Sequence, residues 1–251
     1  MIQLENVGYT LAGRAILSAL SFTVPAGRTY VLLGPSGCGK STVLRLVMGL
    51  IQPTAGRILI NGVPLDGRKK NPGGPTRGMI FQSSALFDFL TVYENIALGL
   101  RKKGVFTEQE IKNRVQQELD HVGLGDDPDL LTKTPGQLSG GMRKRVAIAR
   151  TLALDPEIIL YDEPTTGLDP IMAELIHDLI LRVHRRLNVT SLLVTHDLTT
   201  ALRVADEIGF LYQGKIRESG SAQKILEEAG PLLRQFITGC LAGPIRINGG
   251  W

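Results

Sequence analysis

The stretch that decides the fold is TYVLLGPSGCGKST, residues 29–42. Its opening apolar run ends at Gly34, which favours a short buried β-strand. The next residues match G-x-x-x-x-G-K-[ST], and Leu44, Val47 and Met48 then lie on one face of a predicted helix. A strand, a glycine-rich loop and a helix in this order are typical of a loop that binds phosphates.

Each residue type in this loop suits phosphate chemistry. Glycines allow backbone N–H groups to close around phosphate oxygens. Lys40 would supply a point charge to the β- and γ-phosphates, and the Ser41 hydroxyl would ligate Mg²⁺. A glycine-rich turn without a nucleotide is the alternative. The predicted nucleotide-binding residues of the loop are Gly34, Pro35, Ser36, Gly37, Cys38, Gly39, Lys40, Ser41 and Thr42.

An acidic pair follows a second apolar run, IILYDEP, residues 158–164. Asp162 ends the predicted strand, where its carboxylate could hold Mg²⁺ directly or through water. The side chain of the adjacent Glu163 points differently and could take a proton from an attacking water. The alternative is a capping pair before Pro164.

Two further polar residues follow predicted strands. His196 comes after TSLLVT, and Gln82 comes after RGMIF. A lone histidine at a strand end is more often structural. However, these strands could run parallel to the strand before the phosphate-binding loop of residues 34–41, the P-loop. Their carboxyl ends would then lie at the same edge as the phosphate site.

A second loop suited to phosphate lies in QLSGGMRKRVAIAR, residues 137–150. It is rich in Ser and Gly, opens a helix and has a basic first turn. Unpaired N–H groups and the helix dipole favour an anion there. The sequence alone does not indicate which phosphate this loop would bind, because the P-loop already serves one nucleotide.

Composition and patterning predict one large α/β domain. The chain has 251 residues, is 43% hydrophobic and carries a net charge of +4. Alternating strands and helices predict a largely parallel sheet, with helices but no strand from 84 to 137. A turn is predicted at Ala12-Gly13 and a hairpin at Gln213-Gly214. No apolar stretch approaches a membrane span and no signal peptide is recognisable, so we expect a soluble chain. Two cysteines, Cys38 and Cys240, suit a reducing compartment.

These motifs together resemble the ATP-binding subunit of ABC transporters over essentially the full length. In that family Tyr9 would stack on adenine, Gln82 would be the Q-loop, and LSGGM would be the signature. GLDP, residues 167–170, would be the D-loop with Asp169, and His196 the switch histidine. The resemblance implies ATP and Mg²⁺ as cofactors. It also implies Glu163, His196 and Gln82 as catalytic residues, and Ser41, Gln82 and Asp162 as metal ligands.

The resemblance also implies a use for the second loop. Family members pair head to tail, so Ser139, Gly140 and Gly141 would contact the ATP that is bound at the partner's P-loop. Met142 is a departure, because the family usually has Gln there, and methionine cannot make the same polar contact.

The implied fold is a P-loop NTPase, RecA-like core with a parallel sheet, an N-terminal antiparallel β-subdomain and an inserted α-helical subdomain. Residues 1–251 would form one ABC ATPase domain. Its core would span 1–83 and 138–230, its helical subdomain 84–137 and its C-terminal tail 231–251.

Three segments narrow the resemblance to the Mla-type lipid-transport ATPases. They are FQSSALFDFLTVYENIALGLR after the Q-loop, LSGGMRKR, and LLRQFITGCLAGPI near the end. The implied partners are a second copy of the chain, a membrane permease and an MCE-domain protein, without nucleic acid. The implied location is the cytoplasmic side of an inner membrane, or the stromal face in a plastid. A small-solute importer and a soluble ATPase of iron–sulfur assembly remain alternatives.

Overall fold

The structure is a computed structural model that describes residues 1–65 and 75–245. The described residues form two compact units, one of residues 1–65 and 190–245 and the other of residues 75–189. The strands and helices in chain order are β1 Ile2–Leu11, β2 Arg14–Val24, β3 Thr29–Leu33, α1 Lys40–Met48, β4 Ala55–Ile60, β5 Val63–Pro64, β6 Arg77–Ile80, α2 Val92–Lys103, α3 Glu108–His121, α4 Gly140–Leu152, β7 Ile158–Asp162, α5 Pro170–Leu187, β8 Thr190–Thr195, α6 Leu198–Val204, β9 Glu207–Tyr212, β10 Lys215–Gly220, α7 Ala222–Glu227 and α8 Pro231–Thr238. Two short 3₁₀ helices, Leu130–Thr132 and Pro135–Gln137, lie between α3 and α4.

The first unit contains two groups of strands. Strands β2, β1, β4 and β5 form an antiparallel sheet in that order. In the other group β3 lies between β8 and β9 and is parallel to both, while β10 is antiparallel to β9. Every residue of β3 is buried, as expected for a strand with parallel neighbours on both sides. The predicted N-terminal antiparallel sheet and parallel core strands are therefore confirmed.

Both predicted turns are present in the first unit, and each joins two antiparallel strands. Ala12 and Gly13 have φ of 48° and 77°, and Gln213 and Gly214 have φ of 49° and 70°. Positive φ at both central residues matches the right-handed twist of the flanking strands. The second turn also contacts β2, because Ser18 N donates to Gly214 O over 3.1 Å. A Cβ at Gly214 would lie 2.4 Å from Ile16 O, so this contact requires glycine.

The second unit joins the parallel pair β6 and β7 to helices α2 to α5. Helices α2 and α3 each begin with a capping box, formed by Thr91 with Glu94 and by Thr107 with Glu110. Between residues 84 and 137 the structure contains helices and turns without a strand. The subdomain boundaries placed there from the sequence stay a prediction.

Part of the segment expected to be a tail is helical. Helix α8 is fully buried at Leu233, and the Phe236 ring lies 5.3 Å from the Phe210 ring of β9. Burial of a leucine side chain contributes roughly 1.5–3 kcal/mol, so this helix is anchored to the first unit. Among the described residues, no helix combines the length and apolar character needed to cross a membrane.

Candidate active site

The P-loop lies where β3 ends and α1 begins, as the sequence predicts. Gly34 N donates to Thr195 O over 3.2 Å, which fixes the start of the loop beside the end of β8. Lys40 Nζ donates to Gly34 O and Pro35 O over 2.8 and 3.1 Å. The ammonium is therefore held inside the curve of the loop, at the N-terminus of α1. A helix N-terminus and a cation together suit a bound phosphate.

Glycine is required at two positions of this loop. A Cβ at Gly34 would lie 2.3 Å from Leu211 O, closer than any real contact. Gly39 caps α1 with φ of 109°, and a Cβ there would lie 2.8 Å from Leu17 Cδ2. The path of the loop therefore depends on glycines that pass close to neighbouring strands and adopt left-handed backbone.

A cavity of roughly 600 Å³ adjoins the P-loop. Its volume is in the range of sites that hold a nucleotide-sized molecule. Tyr9 lies on β1 opposite Leu17 and is not among the lining residues, so its stacking on adenine stays a prediction. The cavity is lined by Arg14, Ala15, Ile16, Pro35, Ser36, Gly37, Cys38, Tyr212, Gln213, Gly214 and Ile245.

His196 lies at the same strand edge as the P-loop. It directly follows β8, and Thr195 at the end of β8 is paired with Leu33 at the end of β3. The His196 side chain is exposed, whereas the next residue, Asp197, accepts N–H groups of α6 as its N-cap. The structure thus brings the histidine and the phosphate loop to one edge of the first unit, as predicted from the strand order.

The second unit brings Gln82 and the acidic pair to one strand edge. Strands β6 and β7 are parallel, with Ile80 paired to Tyr161. Gln82 follows the first strand, while Asp162 ends the second and Glu163 follows it. The structure therefore groups these residues as the sequence predicts. Their metal-binding and catalytic roles stay predictions.

Glu163 has an unusual backbone conformation. Its φ is 47°, in the left-handed region that non-glycine residues seldom adopt. The residue is only 8% exposed, and Thr166 Oγ1 lies 3.4 Å from Glu163 Oε2. Backbone strain of this kind costs on the order of 1–3 kcal/mol and is concentrated at functional sites. The conformation supports a specific role for this carboxylate.

The sequence reasoning missed Lys144, which contacts this acidic edge. Its ammonium donates to Gln82 O over 2.8 Å and to Glu163 O over 3.4 Å. Burial lowers the pKa of Lys144, while the carboxylates of Glu163 and Asp162 act in the opposite direction. The sequence contains a signal for the burial of Lys144, because Gly141, Lys144 and Ile148 recur at helical spacing and share the buried face of α4.

Helix α4 also holds the chain that follows the Q-loop. Arg150 donates to Ser84 O over 3.0 Å and to Ala85 O over 2.6 Å. Ser84 and Ala85 are both left-handed, with φ of 66° and 47°. Buried Asn95 of α2 then donates to the carbonyls of Phe87, Leu90 and Thr91 and accepts from the N–H of Phe87. These hydrogen bonds from α4 and α2 fix the irregular segment of residues 84–91.

The predicted signature residues form the N-terminus of α4. The Ser139 hydroxyl accepts from Met142 N over 3.2 Å as the N-cap, and Ser139 and Gly140 are exposed. Gly141 is buried, and a Cβ there would lie 2.2 Å from Met172 Cε. The start of a 13-residue helix is thus presented to solvent, which suits an anion from another molecule.

The D-loop residue Asp169 caps α5. Its Oδ1 accepts from the N–H groups of Ile171 and Met172, both over 3.0 Å. Pro170 occupies the first helical turn, where its missing N–H costs nothing. Asp169 therefore has a structural task in the chain, and its role at a nucleotide stays a prediction.

Comparison with known proteins adds sequence relatives and solved structures. A sequence profile described as ABC transporter matches residues 17–166. The probable ribonucleotide transport ATP-binding protein mkl of Mycobacterium tuberculosis is 38% identical over 98% of this chain and 69% of its own. The intermembrane phospholipid transport system ATP-binding protein MlaF of Escherichia coli is 37% identical over 98% of this chain and 91% of its own.

A solved structure shows the same fold. It is a dimeric post-hydrolysis state of an ATP-binding cassette bound to ADP and Pi. It is 32% identical to this chain, covers 88% of it and 99% of the solved chain, and superposes with a TM-score of 0.78. The predicted P-loop NTPase fold and ATP as the nucleotide are confirmed. The chain therefore belongs to the family of ABC transporter ATP-binding proteins and is an ATPase.

Proposed function

We propose that this chain powers an ABC transporter that moves phospholipid or a related lipid between membranes. Its similarity to MlaF, whose name describes intermembrane phospholipid transport, extends over nearly all of both chains. The segments after the Q-loop, around the signature and near the end of the sequence support the same assignment. The partners would be a permease and an MCE-domain protein, and the chain would act at the cytoplasmic face of an inner membrane.

The observation that carries a transporter role is the exposed aromatic segment, residues 85–90. Phe87 is 44% exposed and Phe89 is 81% exposed, and their rings lie 5.8 Å apart. Arg150 and Asn95 hold the backbone of this segment. Exposed aromatic groups on a fixed backbone suit a protein partner better than solvent. The segment lies shortly after Gln82 in the chain. A permease bound there would therefore be connected to the Q-loop of the ATPase site.

The chain's own residues divide the work of hydrolysis. Backbone N–H groups of the P-loop and the Lys40 ammonium would bind the phosphates and stabilise the charge on the γ-phosphate. Gln82 would orient the attacking water, and Glu163 would accept its proton. His196 would donate a hydrogen bond to the γ-phosphate. Products would then leave when the site opens.

Residues Ser41, Gln82 and Asp162 are the proposed Mg²⁺ ligands. They offer a hydroxyl, an amide and a carboxylate oxygen, the hard oxygen donors that Mg²⁺ prefers. The ion accepts only a few protein ligands beside water and phosphate, so a single carboxylate is sufficient. Bound Mg²⁺ would neutralise charge on the β- and γ-phosphate oxygens.

We also propose that two copies pair head to tail. Ser139, Gly140 and Gly141 of one copy would contact the γ-phosphate that Lys40 of the other copy binds. Exposure of this helix start and the dimeric state of a solved cassette at 32% identity support the arrangement. The whole chain would then act as one ATPase domain, with the boundaries predicted from its sequence.

Reconstitution tests the proposed substrate. The chain would be purified with its co-expressed permease, placed in liposomes that contain a fluorescent phospholipid, and supplied with MgATP. We expect lipid transfer to an acceptor MCE-domain protein or vesicle, and no transfer with Glu163→Gln. ATP-driven movement of a ribonucleotide without lipid transfer would favour a second candidate function, ribonucleotide transport, which the name of the relative mkl suggests. Failure to recover any membrane protein would favour a soluble machine.

A further inference from the structure

The signature helix α4 carries a buried lysine, Lys144, whose ammonium reaches the ends of β6 and β7 beside Gln82 and Glu163. Lys144 is one turn beyond the exposed start of the helix, and the residue is 5% exposed. Its ammonium bonds to the carbonyls of Gln82 and Glu163, 62 and 19 residues away in the chain. Gln82 and Glu163, which would orient the attacking water and accept its proton, are thus bound through their backbones to the helix that carries the signature.

Burying this ammonium is costly unless it has compensating partners. Removing a charge from water carries a large desolvation cost, which hydrogen bonds and opposite charges must offset. Lys144 has two carbonyl acceptors and the attraction of the Glu163 and Asp162 carboxylates. An apolar residue would fill the same space without that desolvation cost, so packing alone does not account for a lysine here.

The contact also bears on the strained backbone of Glu163. The Glu163 carbonyl accepts from the Lys144 ammonium and from Thr166 N, the latter over 3.3 Å. The peptide after Glu163 is therefore held by two donors while the residue has φ of 47°. A left-handed conformation persists only where its surroundings over-determine it. Loss of one donor should let the carboxylate move away from its working position.

We propose that Lys144 is a positioning residue for ATP hydrolysis, which ties the backbones of Gln82 and Glu163 to the signature helix. The water-orienting amide, the base and the signature loop then move together as one part of the second unit. This inference rests on the roles proposed above for Gln82 and Glu163. The hydrogen bonds of Lys144 go to backbone carbonyls, so it would act through Gln82 and Glu163.

The proposal predicts an effect on turnover without one on nucleotide binding. The hydrogen bonds of Lys144 reach residues of the second unit, whereas the P-loop belongs to the first. A displaced group near the reacting atoms lowers kcat, while the P-loop contacts that bind the nucleotide are unchanged. Global destabilisation would instead lower the melting temperature and reduce both turnover and nucleotide binding.

The experiment compares Lys144→Met and Lys144→Gln with the parent and with Lys112→Met, a control at an exposed lysine of α3. Methionine keeps the apolar stem and removes both hydrogen bonds, whereas the glutamine amide can still donate to one carbonyl. We expect kcat to fall about 10- to 100-fold in Lys144→Met and less in Lys144→Gln, with KM for ATP within about twofold. Lys112→Met should match the parent.

Parental kcat in Lys144→Met, or loss of ATP affinity in folded protein, would overturn the proposal. If Lys144→Met does not fold, Lys144→Gln decides, because parental turnover there overturns the proposal and an intermediate kcat at constant KM supports it. A double-mutant cycle adds a second criterion. In the Glu163→Gln background, Lys144→Met should lower single-turnover hydrolysis by a smaller factor than it does in the parent, because one of the two groups that Lys144 positions is already gone. If the losses of the two single variants multiplied in the double variant, this would contradict the positioning of Glu163 by Lys144.

The proposed base can fail separately from this inference. Near-parental turnover of Glu163→Gln, together with a reduced kcat of Lys144→Met, would reject Glu163 as the base. It would still support Lys144 as a positioning residue that acts through Gln82.

Discussion

Replacing Glu163 with glutamine removes the proposed base and leaves its surroundings nearly unchanged. The amide has the same shape as the carboxylate and can keep the contact with the Thr166 hydroxyl, which lies 3.4 Å from Oε2. Backbone atoms of Glu163 adopt the left-handed conformation and accept the Lys144 hydrogen bond, and Asp162 still attracts the Lys144 ammonium in the variant. We therefore expect the variant to fold and to bind ATP.

The expected loss lies in the chemical step. General base catalysis contributes about 10²- to 10⁴-fold, and each tenfold corresponds to about 1.4 kcal/mol of activation free energy. We expect turnover to fall by roughly 10² or more, or about 2.7 kcal/mol at the least. Since the substitution leaves the P-loop intact, the dissociation constant for ATP should stay within a few fold.

The assay is phosphate release at saturating MgATP, paired with equilibrium ATP binding and a thermal melt. Glu228→Gln, which removes an exposed carboxylate near the end of α7, is the matched control and should keep the parental rate. ATP should also drive dimer formation by Glu163→Gln, because binding persists while hydrolysis stops. Hydrolysis by Glu163→Gln at near the parental rate would refute the assignment of this residue as the base.

Three other expectations concern nucleotide binding and the permease. Lys40→Ala should weaken ATP binding itself, since the ammonium held by Gly34 O and Pro35 O is lost; an unchanged dissociation constant in equilibrium dialysis would reject its role. Alkylation of Cys38, a buried thiol outside any disulfide that lines the P-loop cavity, should abolish hydrolysis, and bound MgATP should slow the reaction. Equal sensitivity of Cys38→Ala would show that another group is modified. Phe87→Ala and Leu90→Asp should reduce permease co-purification and transport but leave ATP binding by the isolated chain intact. Unfolding or loss of nucleotide in either variant would instead identify these side chains as core.

Local patterns in the sequence predicted the parts of the fold that depend on neighbouring residues. The P-loop follows from a short apolar run, glycines and a helix start, and the structure has β3 and α1 at those positions. The hairpin turn at Gln213-Gly214 follows from the residue types at two consecutive positions. The capping box of Thr107 and Glu110 is recognisable from four consecutive residues. The capping box of Thr91 and Glu94 has the same signature and could have been found in the same way.

Other features depend on contacts between distant residues. Nothing near Lys144 in the sequence indicates that its ammonium meets Gln82 O, and nothing near Arg150 indicates Ser84 O and Ala85 O. The positive φ of Glu163 is equally hidden, because the residue type does not favour it and only the surroundings impose it. These contacts hold the proposed catalytic groups in place, so the sequence predicts which residues act better than it predicts what positions them.

A mixing experiment tests most directly whether the ATPase site is built from two copies. Lys40→Ala disables the P-loop, and Ser139→Asp keeps an N-cap for α4 while its carboxylate opposes a phosphate at the signature. Each variant alone should be inactive.

In an equal mixture of the two variants, half of randomly paired dimers contain one of each, and each such dimer has one intact site. We therefore expect about a quarter of the parental hydrolysis rate to return when dimers can exchange subunits. No recovery in a mixture shown to contain mixed dimers would contradict the head-to-tail account. It would mean that each chain uses its own signature loop.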